Sequence, residues 1–190
     1  LASHGIVAFQ LAYRTPTNKH NNPVLGPVQD LQKAILVVRQ NAKEFDVDPD
    51  RVGVLGFSAG GQTALVATAG KTEIPFDGQA SSLRPNLLLL YPYQVLDPKT
   101  KGIRSDVDLD SGLPPAFVAQ AADDSVCPPE GSALLFTEMV KRKIPAELHI
   151  YEKGGHGFGM RPRPGAPGSK DWSGRVVEWL RMHKFAAESQ

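Results

Sequence analysis

The sequence predicts an α/β fold in which a mostly parallel sheet carries helices on both faces. Two patterns point there. Short apolar runs of strand length alternate with longer stretches whose apolar residues recur every three or four positions, and that alternation builds a parallel sheet through crossover helices. Residues 87–91 (LLLLY) are apolar without a break, as expected of a strand covered on both faces. The 190 residues fit one domain, 1–190, long enough to bury a core.

Taken in order, residues 5–13 (GIVAFQLAY) read as a short buried strand. Residues 14–27 hold three prolines and three asparagines and read as a loop. A helix is expected over 28–45, with Leu31, Ile35, Val38, Ala42 and Phe45 on one stripe. Asp48, Pro49 and Asp50 end it with turn chemistry. Residues 51–57 form a second strand, followed by a tight turn and a helix over 62–69. The third strand is 86–91, the fourth 116–121, and a helix runs over 129–142. A fifth strand spans 146–151. The last helix, 172–185, carries a stripe of Trp172, Val176, Trp179 and His183. The segments 77–83 and 97–115 are long connections, which in a compact domain are often functional.

Composition excludes several classes. Apolar residues make up 41% and charged residues 22%, ordinary values for a globular chain. A net charge of +1 supplies no field to gather nucleic acid or an anionic membrane. No run approaches the ~20 apolar residues of a membrane span. A single cysteine, Cys127, rules out an internal disulfide framework without fixing a compartment. The chain opens at Leu1 without a methionine and reads as part of a longer one, so the compartment stays unknown and an exported location stays open.

Residues 54–61 (VLGFSAGG) contain Gly-x-Ser-x-Gly. A nucleophilic serine on a sharp strand-to-helix turn projects its hydroxyl above the sheet, and the flanking glycines let the two backbones pass closely. The apolar strand before Ser58 and the helix after it supply the context that the bare motif lacks. The N–H of Ala59, at the start of that helix, is placed to donate to an oxyanion.

A serine needs a base, and the base needs an acid to fix its tautomer. Among five histidines, His156 lies in a glycine-rich turn just past a strand, with room to reach over the sheet edge. His149 is inside a strand, His183 is on a helix stripe, and His4 and His20 precede the serine. For the acid, Asp124 follows the fourth strand and is preferred. Asp123 could shape the turn instead, and Asp97 reads as a turn residue before Pro98.

Gly-Phe-Ser-Ala-Gly-Gly at 56–61, Asp124-Ser-Val-Cys-Pro and Gly-Gly-His156-Gly-Phe-Gly resemble the α/β-hydrolases of the acetyl-xylan-esterase-like and feruloyl-esterase-like group of serine esterases. Leu11-Ala-Tyr-Arg14 and Asp48-Pro-Asp-Arg-Val52 extend the resemblance over nearly the whole chain. It implies a small-molecule ester as substrate, short acyl groups such as acetyl on sugars or other alcohols, and no cofactor. A peptidase or lactonase of the same superfamily, or a non-catalytic module, is the alternative. The chain departs from the pattern in having no His-Gly-Gly-Gly segment, whose backbone N–H gives the second oxyanion donor. That departure implies an α/β-hydrolase core lacking its N-terminal strands, or a substitute donor from 14–27 or a partner chain. A sheet edge left bare by missing strands would favour a homodimer.

Three other sites are set aside. Asp106, Asp108 and Asp110 resemble a calcium loop, but Ser111 stands where its glycine belongs and Phe117 where its glutamate belongs. No His/Cys/Asp spacing reads as a zinc site, and Cys127 reads as a small buried thiol. Arg161 and Arg163 read as solvated loop residues.

Overall fold

The computed structural model describes residues 1–15, 25–70, 84–159, 164–165 and 171–187. Its centre is a four-stranded parallel sheet in sequence order: β1 (Gly53–Ser58), β2 (Leu87–Pro92), β3 (Ala116–Ala121) and β4 (Ala146–Tyr151). Gly53 lies beside Leu87, Leu88 beside Ala116, and Ala116 beside Ala146. Four helices connect and cover it: α1 (Leu25–Gln40), α2 (Ala59–Ala69), α3 (Pro129–Lys141) and α4 (Trp172–Met182). Among the described residues, no helix is long and apolar enough to cross a membrane.

The strand period of two divides the core. Ala116 and Val118 of β3 face a cluster built with Val28 of α1, residues 64–67 of α2, and Leu135 and Met139 of α3. Phe117, Ala119 and Ala121 face the opposite cluster, with Trp172, Val176, Trp179 and Leu180 of α4. Helices therefore cover both faces, and β3, buried at all six positions, is the spine between them.

Helix boundaries shift modestly from those expected. The first helix starts at Leu25 and stops at Gln40; turns over 41–46 carry the apolar spacing on to Ala42 and Phe45. The second begins at Ala59, immediately after the serine. The expected connection over 77–83 falls outside the described residues.

One expected strand is absent. Residues 5–13 lie beside the sheet without joining it, and Val7 and Phe9 are half exposed. A strand needs a neighbour, and the outer edge of β1 is separated from this segment by a groove of about 710 Å³. The groove is apolar on both sides of the sheet plane, with Leu31 and Ile35 of α1 on one side and Leu180 and Phe185 on the other. Residues 5–13 have strand composition but, among the described residues, no ladder partner. Their anchors are local: Phe9 rests on Phe45, ring centroids 5.1 Å apart, and Arg14 pairs with Asp30 at 2.7 Å.

The loop over 97–115 is ordered by its own carboxylates. Asp106 pairs with Arg104 (2.7 Å), Asp108 caps a short 3₁₀ turn over Leu109–Ser111, and Asp110 pairs with Arg142 (2.6 Å). The three carboxylates thus have separate partners within the protein: Arg104, the Asp110 N–H and Arg142.

Candidate active site

All four strands end at the same edge of the sheet, and the loops that follow them meet there. Crevices outside the carboxyl ends of parallel strands are where such sheets bind ligands. Ser58 ends β1 and begins the turn into α2 with φ +52° and ψ −120°, a conformation rare outside glycine. Close packing around it enforces that turn. A Cβ on Gly56 would collide with the Gly60 carbonyl oxygen, and one on Gly61 would lie 2.8 Å from the Pro92 Cα. At Gly60 the nearest atom is the Tyr13 hydroxyl, at 3.8 Å. The motif places its second glycine at 60, whereas the steric demand falls on 61. The Ser58 carbonyl accepts from the Tyr93 N–H (3.0 Å), which ties the turn to the end of β2. The Ala59 N–H opens the helix, among amides that have no intrahelical acceptor.

The structure brings the other two expected residues to this serine. Ser58 Oγ lies 3.0 Å from His156 Nε2, and His156 Nδ1 lies 3.0 Å from Asp124 Oδ2. The network sets the tautomer: Nδ1–H donates to the carboxylate, and Nε2 accepts from the serine hydroxyl. His156 sits between Gly155 and Gly157, both left-handed at φ +62° and +66°. The Tyr91 ring stands edge-on to its imidazole at 6.2 Å.

Asp124 is buried. Its Oδ1 accepts the N–H groups of Val126 (2.9 Å) and Cys127 (2.8 Å), and its Oδ2 accepts from Gln120 Nε2 (3.2 Å). Burial alone would raise its pKa. The Cys127 N–H, the His156 ring and the Val126 N–H outweigh burial and hold the carboxyl below its ordinary value. It is therefore an anion poised to stabilise an imidazolium.

Asp123 does something different. Its Oδ1 accepts the N–H groups of Gly154 (2.9 Å) and Gly155 (2.7 Å), clamping the loop that carries His156. Asp97 accepts the amides of Lys99 and Thr100 (2.8 and 2.9 Å) and shapes its own turn. The remaining described histidines stay away from the serine. His149 meets Glu147 (2.6 Å), His183 caps α4 against Trp179, and His4 meets Arg181 (3.3 Å). His20, Arg161 and Arg163 lie outside the described residues.

Gln120 was missed by sequence reasoning. It is fully buried in β3 and donates to Asp124 Oδ2 and to the Cys127 carbonyl (2.7 Å), while Ser132 donates to its Oε1 (3.3 Å). The available signal was one amide inside an otherwise apolar strand, AFVAQA, because a buried amide must find partners. Cys127 is buried as expected, and its thiol is pushed up to about 11 by burial and the Asp124 charge.

The acetyl ester-xyloside bifunctional hydrolase of Caldicellulosiruptor lactoaceticus is 30% identical to this chain. It superposes with a TM-score of 0.71, covering 92% of this chain and 71% of that structure. The chain belongs to the α/β-hydrolase superfamily. A second α/β-hydrolase neighbour, a thermophilic esterase of Thermogutta terrifontis solved with propionate bound, is 26% identical with a TM-score of 0.79, covering 94% of this chain and 72% of that one. The acetylxylan esterase of Xylanibacter ruminicola is 30% identical over 185 residues, 84% of this chain and 36% of that protein. The chain spans about a third of the length of the curated relatives that it matches. Residues 1–88 match the BD-FAE family, and residues 104–183 match the prolyl oligopeptidase family.

Proposed function

We propose that this chain is the core of a serine carboxylic-ester hydrolase acting on short acyl esters, such as acetyl groups carried on sugars. The observation that carries the reading is the unbroken chain from Ser58 Oγ through His156 to a buried, ionised Asp124. Ser58 Oγ attacks the ester carbonyl carbon while its proton passes to His156 Nε2. Asp124 holds Nδ1–H and stabilises the imidazolium. The Ala59 N–H receives the oxyanion. The tetrahedral species collapses, the bond to the alcohol oxygen breaks, and His156 returns the proton to the departing alcohol. Water then repeats the sequence on the acyl-enzyme and frees the acid.

The relatives named for acetyl esters, acetylxylan and bound propionate support small acyl groups. The prolyl oligopeptidase match over 104–183 favours a second reading, amide-bond cleavage by the same residues. That stretch carries the acid and base common to both chemistries, so substrates must separate them.

The test is turnover of p-nitrophenyl esters from C2 to C8, beside a lactone and an aminoacyl amide, by the wild type and by Ser58→Ala. Hydrolysis of the short esters is expected, with a loss on the order of 10⁶-fold in kcat in the variant. A folded wild-type chain that hydrolyses none of them, and whose Ser58 is not phosphorylated by paraoxon, would overturn the proposal. Preference for the amide would establish the second reading.

A further inference from the structure

Asp124, Cys127 and His156 each offer one metal-ligating atom, and these atoms all lie within 4.8 Å of one another. The set is chemically mixed: a carboxylate oxygen, a sulfur and an imidazole nitrogen, the donors that tetrahedral zinc and its heavier congener cadmium accept. Ser58 Oγ, 3.0 Å from His156, adds a hydroxyl beside them. From the geometry we infer that this cluster is an inhibitory site for a soft divalent cation. The inhibition rests on the esterase reading above; the binding does not.

Bond lengths support the fit. Zinc–sulfur, –nitrogen and –oxygen distances put tetrahedral donors roughly 3.3–3.6 Å apart. The His156 Nδ1 to Asp124 Oδ2 separation is already 3.0 Å. The separations to the sulfur, at most 4.8 Å, close by up to about 1 Å through a shift of the His156 ring, which is part-exposed and flanked by left-handed glycines, and rotation of the Cys127 side chain.

Binding exchanges one proton for the cation. The Cys127 thiol, protonated in the free protein, loses its proton to solvent when its sulfur bonds the metal, because a bound cation's own charge deprotonates a coordinating thiol. No electrons move. Either ring nitrogen gives the same consequence for hydrolysis. A cation on Nε2 occupies the lone pair that takes the proton of Ser58. A cation on Nδ1 displaces the ring proton from Nδ1 to Nε2, where the imidazole is a donor and no longer a base.

Sequence spacing hides this site. The cysteine follows the aspartate by three positions, but the histidine comes from the loop after the next strand.

Cadmium alone is the probe, titrated into the full 190-residue chain and into Cys127→Ser and Cys127→Ala. Two readouts run together: thiolate-to-cadmium absorption in the ultraviolet and the rate of p-nitrophenyl acetate hydrolysis relative to each protein's own metal-free rate. The wild type is expected to show a saturable absorption band at one cadmium per chain, inhibition that tracks it, and recovery on adding a chelator. Both variants are expected to lack the band and to need at least tenfold more cadmium for half-inhibition. Absence of the band in the wild type, or equal inhibition in the variants, would overturn the inference. A wild type that binds cadmium through Cys127 but neither hydrolyses ester nor is phosphorylated at Ser58 by paraoxon would keep the site and overturn the esterase reading instead.

Discussion

At Ser58 the backbone is held at φ +52°, which costs a non-glycine residue on the order of 1–3 kcal/mol. The neighbours must enforce that geometry, and they do so by excluding side chains. Gly61 packs its Cα side against Pro92 and the Tyr91 carbonyl at the end of β2. Gly61→Ala puts a methyl group against backbone atoms that cannot swing aside. A loss of about 1–3 kcal/mol is expected, the usual cost of overpacking. Gly60→Ala meets only the Tyr13 hydroxyl at 3.8 Å and gains helix propensity, so it is expected to be neutral or to stabilise by up to about 1 kcal/mol. Urea unfolding of the two variants checks the order, and a Gly60 variant less stable than the Gly61 variant would refute this account of the turn.

At the scale of elements, the loop between β3 and α3 does the most with the fewest residues. It sets Asp123 and Asp124 side by side and gives them opposite tasks: one clamps the glycines before His156, and the other holds the imidazole. The Asp124 carboxyl is depressed in the fold, so its ionisation stabilises the folded state. That contribution is fully present above the unfolded value of about 3.9 and is lost as pH falls through the lower folded value. Asp124→Asn is therefore expected to melt below the wild type at neutral pH, with the gap closing only below about pH 3.9. Thermal melts from pH 8 to pH 3 measure it, and a gap that closes near pH 6 would place the effect on another group.

The same elements show what could be read in advance. β3 and β4 were legible to the residue, because a short apolar run bounded by turn residues or a bounded alternation leaves few choices. That Ser58, Asp124 and His156 come together was legible because turn glycines and chain order constrain them. Asp123 was expected only to shape its turn; that its carboxylate reaches across to the amides of Gly154 and Gly155 was not legible, since adjacency in sequence says nothing about long-range partners. Gln120 was hidden inside a strand, and its value appears only once the carboxylate above it is placed. Residues 5–13 were misread because strand composition describes a side chain's fit to a pleated surface, whereas a strand also requires a partner.

On the scale of the whole molecule, the missing partner leaves the sheet open along β1. Among the described residues β1 pairs with β2 alone, so its outer backbone groups lack a strand partner. Leu55 and Phe57 of β1 are more than a third exposed, and Val7 and Phe9 across the groove are half exposed. A bare edge beside apolar surface templates pairing with another chain, and proteins that avoid this place charge there. Here the net charge is only +1, which supplies little repulsion between copies. The 190-residue chain is therefore expected to self-associate reversibly, with its sedimentation coefficient rising across the micromolar range. Leu55→Lys and, independently, Phe9→Lys put a charge on either side of the groove and should each shift the equilibrium toward monomer without lowering the melting temperature of the monomer. A wild type that sediments as one monomeric species at every concentration would refute this reading of the β1 edge.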